Sequence, residues 1–533
     1  MKKRVLISDD LSTEAAAIFR RAEGLEVDVK VGLPAAELAQ IIGNYDALAV
    51  RSATKVTADL IAKAPRLKVV GRAGSGVDNI DLAAATRRGI VVMNTPGGNT
   101  VTVAEHTFAM LLSLARHIPA ATASTKGGRW EKKKFQGREL FNKTLGVVGT
   151  GNIGSVVVQR ALAFRMKVLA YDPFLSAEAA AKLGVELVSF DDLLGRADVV
   201  TVHVPLTDQT RHLFGATALA KMKRGALLVN CARGGIVDEQ ALAESLRAGH
   251  LGGVALDVFE QEPPAKDHPL FAFDNVVVAP HLGASTEEAQ ANVAVAIAEQ
   301  MVDYLVTGTV RNAVNMPALT TEMQKALGPA LVLAQRLGAL AGQLFAGPIA
   351  SVELDFAGEL AQQTTAPLTA AALKGLLACY MDEPINEVSA PALAKERGIR
   401  VTETRTAEAE DYAQQVTLRV QAPGGGVVVS GAIVGKREPR VVRVGPFEID
   451  APLSGTLVVI HNADKPGVIG AVGTALGEAG INIAQFALAR GSANDGAFAL
   501  INIDGAAAEP VLAKVRQLPN VRRVQQVSLE RMA

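Results

Sequence analysis

Residues 144–173 read TLGVVGTGNIGSVVVQRALAFRMKVLAYDP, and this stretch decides the fold of the chain. It predicts a buried strand, a turn of the form G-x-G-x-x-G, a helix and a second apolar strand. Gly149 permits a tight turn, Gly151 lets a pyrophosphate approach the backbone because it has no Cβ, and Gly154 lets the helix pack closely on the strand. The helix N-terminus offers free N–H groups and a partial positive charge to phosphates. The stretch therefore predicts a βαβ dinucleotide-binding unit rather than an ordinary glycine turn.

An acid at the end of this unit indicates which dinucleotide binds. Asp172 lies about 20 residues after the glycines, where a carboxylate accepts hydrogen bonds from the adenosine ribose hydroxyls. Pro173 and Phe174 follow it, and neither can pair with a 2′-phosphate as an arginine can. The sequence therefore predicts NAD, and not NADP, as the cofactor.

The composition limits the classes of function. The 533 residues predict about three or four domains. Lys+Arg and Asp+Glu are equal at 54 each, so charge argues against nucleic acid and anionic membrane as partners. Only Cys231 and Cys379 occur, which indicates a reducing, cytoplasmic location without a disulfide framework. The first apolar run stops at Ile7, too early for a signal peptide, and we expect no transmembrane segment.

Strand and helix patterns on both sides of the central unit predict an α/β chain in several parts. Residues 1–96 alternate short buried strands with helices, as in a doubly wound α/β domain. Residues 286–305 form one long Ala-rich helix that returns to this first part. Residues 320–452 combine helices with a β-rich end, and residues 453–533 follow a βαββαβ order that is typical of a ferredoxin-like domain.

Polar residues follow several of the predicted strands. Arg233, Glu262 and His281 all come just after strand ends in the same half of the protein. Ligands gather at the carboxyl ends of parallel strands, so these side chains predict a site beside a bound dinucleotide. Arg51 and Arg72 also follow strands, although each by itself could be a surface charge. We interpret histidines on the helix after residue 100 as helix-face residues and not as ligands; they are His106 and His117.

Six motifs carry a family resemblance that covers essentially the whole chain. They are RSATKV (51–56), VGRAGSGVDNID (70–81), GTGNIG (149–154), NCARGGIVDE (230–239), ALDVFEQEPP (255–264) and PHLGAST (280–286). The chain resembles the D-isomer-specific 2-hydroxyacid dehydrogenases, in their long form with an intervening allosteric domain and a C-terminal ACT domain. The resemblance implies NAD-dependent oxidation of 3-phospho-D-glycerate to 3-phosphohydroxypyruvate, the first step of L-serine biosynthesis.

The same resemblance assigns domains along the chain. We expect a flavodoxin-like substrate-binding domain at 1–97 and 287–316, a Rossmann-type NAD-binding domain at 98–286, an α+β intervening domain at 317–452 and a ferredoxin-like ACT domain at 453–533. Trp130 lies in a segment that resembles one placed near a neighbouring subunit's active site. We therefore expect a homo-oligomer, either a dimer or a homotetramer.

By resemblance, Arg233, Glu262 and His281 form the catalytic trio. Oxidation of a 2-hydroxyl needs a base for the O–H proton, and His281 can serve because imidazole titrates near neutrality. Glu262 can orient the imidazole and stabilise the imidazolium. Arg233 can clamp a carboxylate and polarise the developing carbonyl. The motif, and not physical reasoning alone, selects Glu262 over Glu260.

The resemblance also implies binding residues and no metal. The expected cofactor contacts are Ser75, Gly149, Gly151, Asn152, Ile153, Gly154, Asp172, Val204, Cys231, Ala232, Arg233, Asp257, His281, Gly283 and Ala284. The expected substrate contacts are Arg51, Ser52, Arg72, Gly74, Arg233 and His281. Val204 departs from the polar residue of many relatives, but a backbone contact there would survive the change.

Three residues of the C-terminal part match a serine effector site of feedback-regulated relatives. They are Asn462, Asp464 and Asn482, which we expect to lie near each other at one end of the sheet, with a partner chain completing the site. Some relatives have His at the first position and Asn at the second. The alternative is that these are turn residues in a domain that serves assembly alone.

Two other functions remain open at this stage. Another 2-hydroxyacid dehydrogenase, for hydroxypyruvate or glyoxylate, would need neither a phosphate pocket nor the two added domains. A corepressor-like binding protein would keep the fold and use NAD as a sensing ligand. Turnover of 3-phosphoglycerate measured beside glycerate separates these possibilities.

Overall fold

Four β-sheets organise the computed structural model, which describes residues 2–345, 347–381, 384–408, 411–435, 437–491 and 496–529. Short 3-10 helices join some of the elements, at Ile42–Asn44, Lys132–Phe135, Pro269–Ala272 and Glu359–Gln362. Within these described ranges, no helix combines the length and the apolar composition that crossing a bilayer requires.

The first sheet has five parallel strands in the order β2-β1-β3-β4-β5, which is the flavodoxin-like order. Its strands are β1 (Lys3–Ile7), β2 (Leu25–Val29), β3 (Ala47–Val50), β4 (Val69–Arg72) and β5 (Val91–Met93), with helices α1 (Thr13–Arg21), α2 (Ala35–Ile41), α3 (Ala58–Ala62) and α4 (Leu82–Arg87). The long helix from Glu287 to Thr307 (α12 in chain order) returns to this sheet, as expected, and packs Val293, Ile297 and Met301 into its core.

The second sheet has seven parallel strands in the order β12-β11-β10-β9-β6-β7-β8. Its strands are β6 (Thr144–Val148), β7 (Lys167–Tyr171), β8 (Glu186–Leu187), β9 (Val199–Val202), β10 (Leu227–Asn230), β11 (Gly253–Leu256) and β12 (Val276–Val278). Its helices are α5 (Thr100–Ala115), α6 (Ile118–Lys126), α7 (Asn152–Ala163), α8 (Ala177–Leu183), α9 (Phe190–Arg196), α10 (Ala216–Lys221) and α11 (Glu239–Arg247). The strand order reverses between β6 and β9, which is the Rossmann switch point where ligands bind.

The third sheet is mixed, in the order β14-β13-β15-β16-β17-β18. Its elements are α13 (Thr321–Leu344), β13 (Ser351–Gly358), α14 (Ala366–Leu377), α15 (Ser389–Glu396), β14 (Arg400–Thr406), β15 (Gln414–Ala422), β16 (Gly425–Val434), β17 (Glu438–Val444) and β18 (Phe447–Pro452). Helices α13 and α14 cross closely because glycines lie at the contact: a Cβ on Gly375 would lie 1.9 Å from the carbonyl oxygen of Gln335.

The fourth sheet has the order β20-β21-β19-β22, which is ferredoxin-like. Its elements are β19 (Thr456–Asn462), α16 (Val468–Glu478), β20 (Ile483–Arg490), β21 (Ala497–Ile503), α17 (Glu509–Arg516) and β22 (Val521–Ser528). Helices α16 and α17 cover one face of this sheet. The other face packs Leu457, Leu500 and Val527 into one core with Leu337 and Leu340 of α13.

The predicted fold class is confirmed: a Rossmann-type sheet, a flavodoxin-like sheet, an α+β part and a ferredoxin-like C-terminal part follow one another. The predicted domain boundaries remain predictions. Strand β2, LEVDV, is an addition to the expected strands of the first sheet. It lies at the edge of the sheet and is only partly buried, so it lacks the continuous apolar run that marks the central strands.

Candidate active site

The turns after β11 and β12 bring Glu262 and His281 together. Glu262 Oε2 lies 2.8 Å from His281 Nδ1, and Glu262 Oε1 accepts a hydrogen bond from the N–H of Phe259 at 3.1 Å. An ionised carboxylate only accepts hydrogen bonds, so the ring proton belongs on Nδ1 and the basic lone pair on Nε2. The His281 side chain is 50% exposed, which leaves this nitrogen accessible to a substrate.

Asp257 fixes the turn that carries His281. This turn begins with His281 at φ +56°, a left-handed conformation that is uncommon for residues other than glycine. The buried Asp257 carboxylate accepts hydrogen bonds from the N–H groups of Leu282 at 2.7 Å and Gly283 at 2.8 Å. His106 Nε2 also lies 3.0 Å from Asp257 Oδ1. His106 is on helix α5, as expected, and from there it also contacts the residue that fixes the His281 turn.

Arginines from both halves of the catalytic region lie close enough to one another to interact through their charges. Burial lowers the pKa of the Arg72 guanidinium below its ordinary value, and the nearby charge of Arg233 lowers it further. Arg51 adds to the same effect from the end of β3. The three positive charges repel one another, and a bound anion would offset that repulsion. This part of the site therefore favours an anion such as a carboxylate or phosphate.

The glycines of the RAGSG segment explain how these guanidiniums fit. A Cβ on Gly74 would lie 2.3 Å from Arg72 Nη1, and a Cβ on Gly76 would lie 2.2 Å from Arg233 Nη2. Gly74 also has φ +144°, a conformation that side chains rarely adopt. The segment therefore passes directly beside the two guanidiniums because it carries no side chains at these positions.

Acidic and amide side chains of the next residues hold the arginines. Asp78 Oδ2 lies 3.2 Å from Arg233 Nε, and Asn79 Oδ1 accepts a hydrogen bond from Arg72 Nε at 3.1 Å. Asn79 Nδ2 also donates to the carbonyl oxygens of Arg51 and Thr54, both at 2.7 Å. Asp78 and Asn79 were not among the predicted site residues, although polar residues that follow a strand and a glycine turn are a usable signal.

Asp172 lies directly after β7 and is hydrogen-bonded to the glycine turn. Asp172 Oδ2 accepts hydrogen bonds from Thr150 N at 2.8 Å and Thr150 Oγ1 at 2.9 Å, and Oδ1 accepts one from Phe174 N at 2.9 Å. Burial alone would raise the pKa of Asp172, but these hydrogen bonds lower it overall. The carboxylate is therefore held ionised, and Oδ1, which accepts only one of these hydrogen bonds, keeps a lone pair for a ribose hydroxyl.

Of the three glycines in the turn, only Gly151 has open space beside it for a cofactor. A Cβ on Gly149 would lie 2.7 Å from the carbonyl oxygen of His203, and a Cβ on Gly154 would lie 2.0 Å from that of Gly149. Around an ideal Cβ on Gly151, by contrast, the described residues place no heavy atom within 4 Å. Helix α7 begins at Asn152 without a side-chain cap, so its first N–H groups point to this space. The arrangement fits a pyrophosphate.

Three further residues lie around the predicted cofactor region. Burial raises the pKa of the Cys231 thiol to about 12, so the sulfur is neutral at physiological pH. Burial lowers the pKa of His203 to about 4, so this imidazole is also neutral and was not among the predicted residues. Val204 borders the glycine turn with its side chain: its Cγ1 would lie 2.7 Å from a Cβ on Gly149.

The three predicted effector residues do not lie together within one chain. Asn462 and Arg490 both pair with the Ala497 end of β21, and Asp464 Oδ2 accordingly lies 3.1 Å from Arg490 Nε. Asn482 precedes Ile483, which pairs with Ile503 at the other end of β21. Asn482 Nδ2 donates a hydrogen bond to Asp504 Oδ2 there, at 2.8 Å. The expectation of one shared end was wrong, because β19 and β20 run parallel: the end of one strand lies level with the end, not the start, of the other.

Comparisons with known proteins agree with this architecture. Three family models match: the NAD binding domain of D-isomer specific 2-hydroxyacid dehydrogenases at 108–283, the D-3-phosphoglycerate dehydrogenase intervening domain at 326–445 and the ACT domain at 456–520. The chain is 45% identical to a D-3-phosphoglycerate dehydrogenase of Synechocystis sp., over 99% of this chain and 95% of that protein. It is 44% identical to one of Methanocaldococcus jannaschii, over 99% of this chain and 100% of that protein. Among solved structures, the TT0316 protein of Thermus thermophilus matches with a TM-score of 0.54 and 38% identity, over 58% of this chain and 99% of that one.

Proposed function

Because this chain belongs to the D-3-phosphoglycerate dehydrogenases, a branch of the D-isomer-specific 2-hydroxyacid dehydrogenase family, we propose that Arg233, Glu262 and His281 carry its oxidation of 3-phospho-D-glycerate to 3-phosphohydroxypyruvate. The cofactor is NAD, and the reaction is the first step of L-serine biosynthesis. The observation that supports the catalytic residues is the 2.8 Å contact between His281 Nδ1 and Glu262 Oε2.

The proposed mechanism assigns His281 as the base. Its Nε2 accepts the proton of the C2 hydroxyl while the C2–H bond breaks, so that the C2–O bond becomes a carbonyl. NAD, when bound, supplies the nicotinamide ring that takes up the hydride. Glu262 keeps Nε2 directed outward and stabilises the imidazolium that forms. The reverse reaction uses the same imidazolium as the acid.

The arginines fit the two anionic ends of the substrate. Arg233 binds the carboxylate next to C2, where its planar guanidinium can make two parallel hydrogen bonds. Arg51 and Arg72, with Ser52 and the backbone of Gly74, bind the phosphate. Asp78 now pairs with Arg233 at 3.2 Å, and the substrate carboxylate competes with this exposed acid for the same guanidinium.

NAD fits along the carboxyl edge of the seven-stranded sheet. Asp172 receives the adenosine ribose, and the Gly149–Gly154 turn with Asn152 and Ile153 receives the pyrophosphate. The remaining proposed contacts border the nicotinamide side; they are Ser75, Val204, Cys231, Ala232, Asp257, Gly283 and Ala284. The ionised Asp172 would repel a 2′-phosphate, which supports the choice of NAD.

The C-terminal part supports regulation by a small molecule, and we propose L-serine as that effector. Asp464 would take the ammonium group, and the amides of Asn462 and Asn482 would bind the other polar groups. Asn482 lies at the opposite end of the sheet from the first two residues. The proposed site therefore combines Asn462 and Asp464 of one chain with Asn482 of a second chain in a dimer or tetramer.

A cytoplasmic location completes the proposal. Both cysteines of the chain are free thiols, which fits a reducing compartment. The proposed partners are small molecules and further copies of this chain.

One assay tests the function against both alternatives. The purified protein is given NAD with either 3-phospho-D-glycerate or D-glycerate, and NADH formation is followed. We expect efficient turnover of the phosphorylated substrate only. Preference for glycerate would favour a hydroxypyruvate or glyoxylate reductase, and NAD binding without turnover of either would favour a binding protein.

A further inference from the structure

A cavity of about 490 Å³ lies at the junction of the third and fourth sheets, far in sequence from the residues of the proposed active site. One wall is formed by the end of α13 and by the β16–β18 region, including Val428, Val444 and Phe447. The other wall is the face of the C-terminal sheet that packs on α13, including Val459 and Phe498. The volume lies within the range of small-molecule sites, about 300–1,000 Å³.

The charged side chain that lines this cavity is positive. The residues that line it include Arg523 but no aspartate or glutamate. Arg523 Nη2 donates to the carbonyl oxygen of Leu344 at 3.4 Å and to Gln525 Oε1 at 3.0 Å. Among the described residues, its Nε and Nη1 have no hydrogen-bond partner, and no carboxylate forms an ion pair with it. These two nitrogens carry three N–H groups that can donate to an anion.

Aromatic rings form much of the apolar lining. The rings of Phe447 and Phe498 are stacked with centroids 5.3 Å apart, and His461 meets Phe447 edge to face at 5.8 Å. A guest ring would find faces and edges for the offset and T-shaped arrangements that aromatic pairs prefer. The lining therefore combines an aromatic floor with one cationic group.

We propose that this cavity binds an aromatic monocarboxylate, with its ring against Phe447 and Phe498 and its carboxylate on Arg523. Such a ligand contacts the third and fourth sheets at once, so it ties the two parts of the chain together. Its site is distinct from the proposed serine site, since Asn462 and Asp464 are not among the residues that line the cavity. If the ligand binds two arrangements of these sheets unequally, it shifts the balance between them.

The test is calorimetric titration of the full-length protein with 4-phenylbutyrate. We expect saturable binding that weakens at least tenfold in Arg523→Gln. Arg522→Gln is the matched control, because it removes the same charge from the same strand at a position that does not line the cavity. We expect it to bind as the unmodified protein does.

Two further arms make the result specific. Val428→Trp fills the cavity while leaving Arg523 in place, and we expect it to abolish binding. 4-Phenyl-1-butanol keeps the ring without the charge, and we expect it to bind at least tenfold more weakly than the carboxylate. Absence of binding at millimolar 4-phenylbutyrate, equal binding of the alcohol, or equal affinities of the Arg522 and Arg523 variants would each overturn the proposal.

Discussion

The carbonyl oxygen of Asp257 accepts a hydrogen bond from the N–H of His281 at 2.8 Å, and the Asp257 carboxylate holds the next two residues of the same turn. Two residues thus orient His281, the base of the proposed reaction: Glu262 contacts its imidazole ring, and Asp257 holds its backbone. Buried N–H groups that lose their acceptors cost about 1–3 kcal/mol each. The backbone support therefore contributes to stability as well as to geometry.

Asp257→Ala removes both carboxylate oxygens and leaves the N–H groups of Leu282 and Gly283 without their acceptors. We expect the free energy of unfolding to fall by about 2–6 kcal/mol, as two such losses imply, and kcat to fall as well. Denaturant unfolding and steady-state kinetics measure the two effects. An unchanged unfolding midpoint would mean that the turn is held by other contacts.

His281→Ala removes the proposed base and leaves the backbone of its turn in place. General bases supply about 10²–10⁴-fold in rate, so we expect kcat to fall by that factor while NAD affinity persists. Stopped-flow turnover and fluorescence titration of NAD separate these quantities. His250→Ala is a control, because His250 lies 2.9 Å from the carbonyl oxygen of Met222, outside the proposed site. Near-normal kcat in His281→Ala would exclude it as the base.

Gly151→Ala and Gly154→Ala differ in what a methyl group would meet. The added Cβ at Gly151 enters open space at a φ of −63°, so we expect an unchanged melting temperature and weaker NAD binding. The added Cβ at Gly154 lies 2.0 Å from a carbonyl oxygen, so we expect loss of stability. Thermal melts and NAD titrations of both variants test this contrast. Full NAD affinity in Gly151→Ala would place the pyrophosphate elsewhere.

Asp172→Ala tests the choice of cofactor. Hydrogen bonds from Thr150 and Phe174 lower the pKa of Asp172 overall. The folded carboxylate therefore stays ionised well below neutral pH and takes up a proton only when the pH falls below the ordinary pKa of an aspartate. We therefore expect the preference for NAD over NADP to be constant from about pH 6 to 9 and to shrink in the variant. Ratios of kcat/KM for the two cofactors give the answer. Equal use of both by the unmodified enzyme would contradict the role of Asp172.

The separation of Asn482 from Asp464 makes the serine proposal testable by complementation. We expect Asp464→Ala and Asn482→Ala each to abolish L-serine binding by calorimetry. Mixed oligomers of the two variants should regain binding, because one of the two sites in such a pair combines an intact Asp464 with an intact Asn482. Oligomers of one variant alone are the control. Failure of every mixed oligomer to bind would place the effector residues within one chain or elsewhere.

The fold and the site could be predicted best where the type and spacing of residues determine the local structure. The three glycines and Asp172 specify a turn, a helix start and an acid at one sheet edge. The two parallel strands that flank them could be predicted from their apolar runs alone. His106 lies on α5 as predicted, but its spacing says nothing about its contact with the buried Asp257, which only the tertiary structure supplies. Asn482 was placed at the wrong end of the sheet. Strands joined by a βαβ crossover run parallel, so their C-terminal ends share one edge, whereas Asn482 lies at the start of its strand and therefore at the opposite edge.

The core that α13 shares with the C-terminal sheet has a consequence for how the protein is made. Val527 and Leu529 pack into the same core as Leu333 and Leu337, almost two hundred positions earlier in the chain. During synthesis the earlier leucines emerge long before their partners, and domains fold as they emerge. Helix α13 must therefore keep an apolar face uncovered until the final strand has left the ribosome. Stalling or truncation near the end of the message would release chains with this face exposed and prone to aggregation.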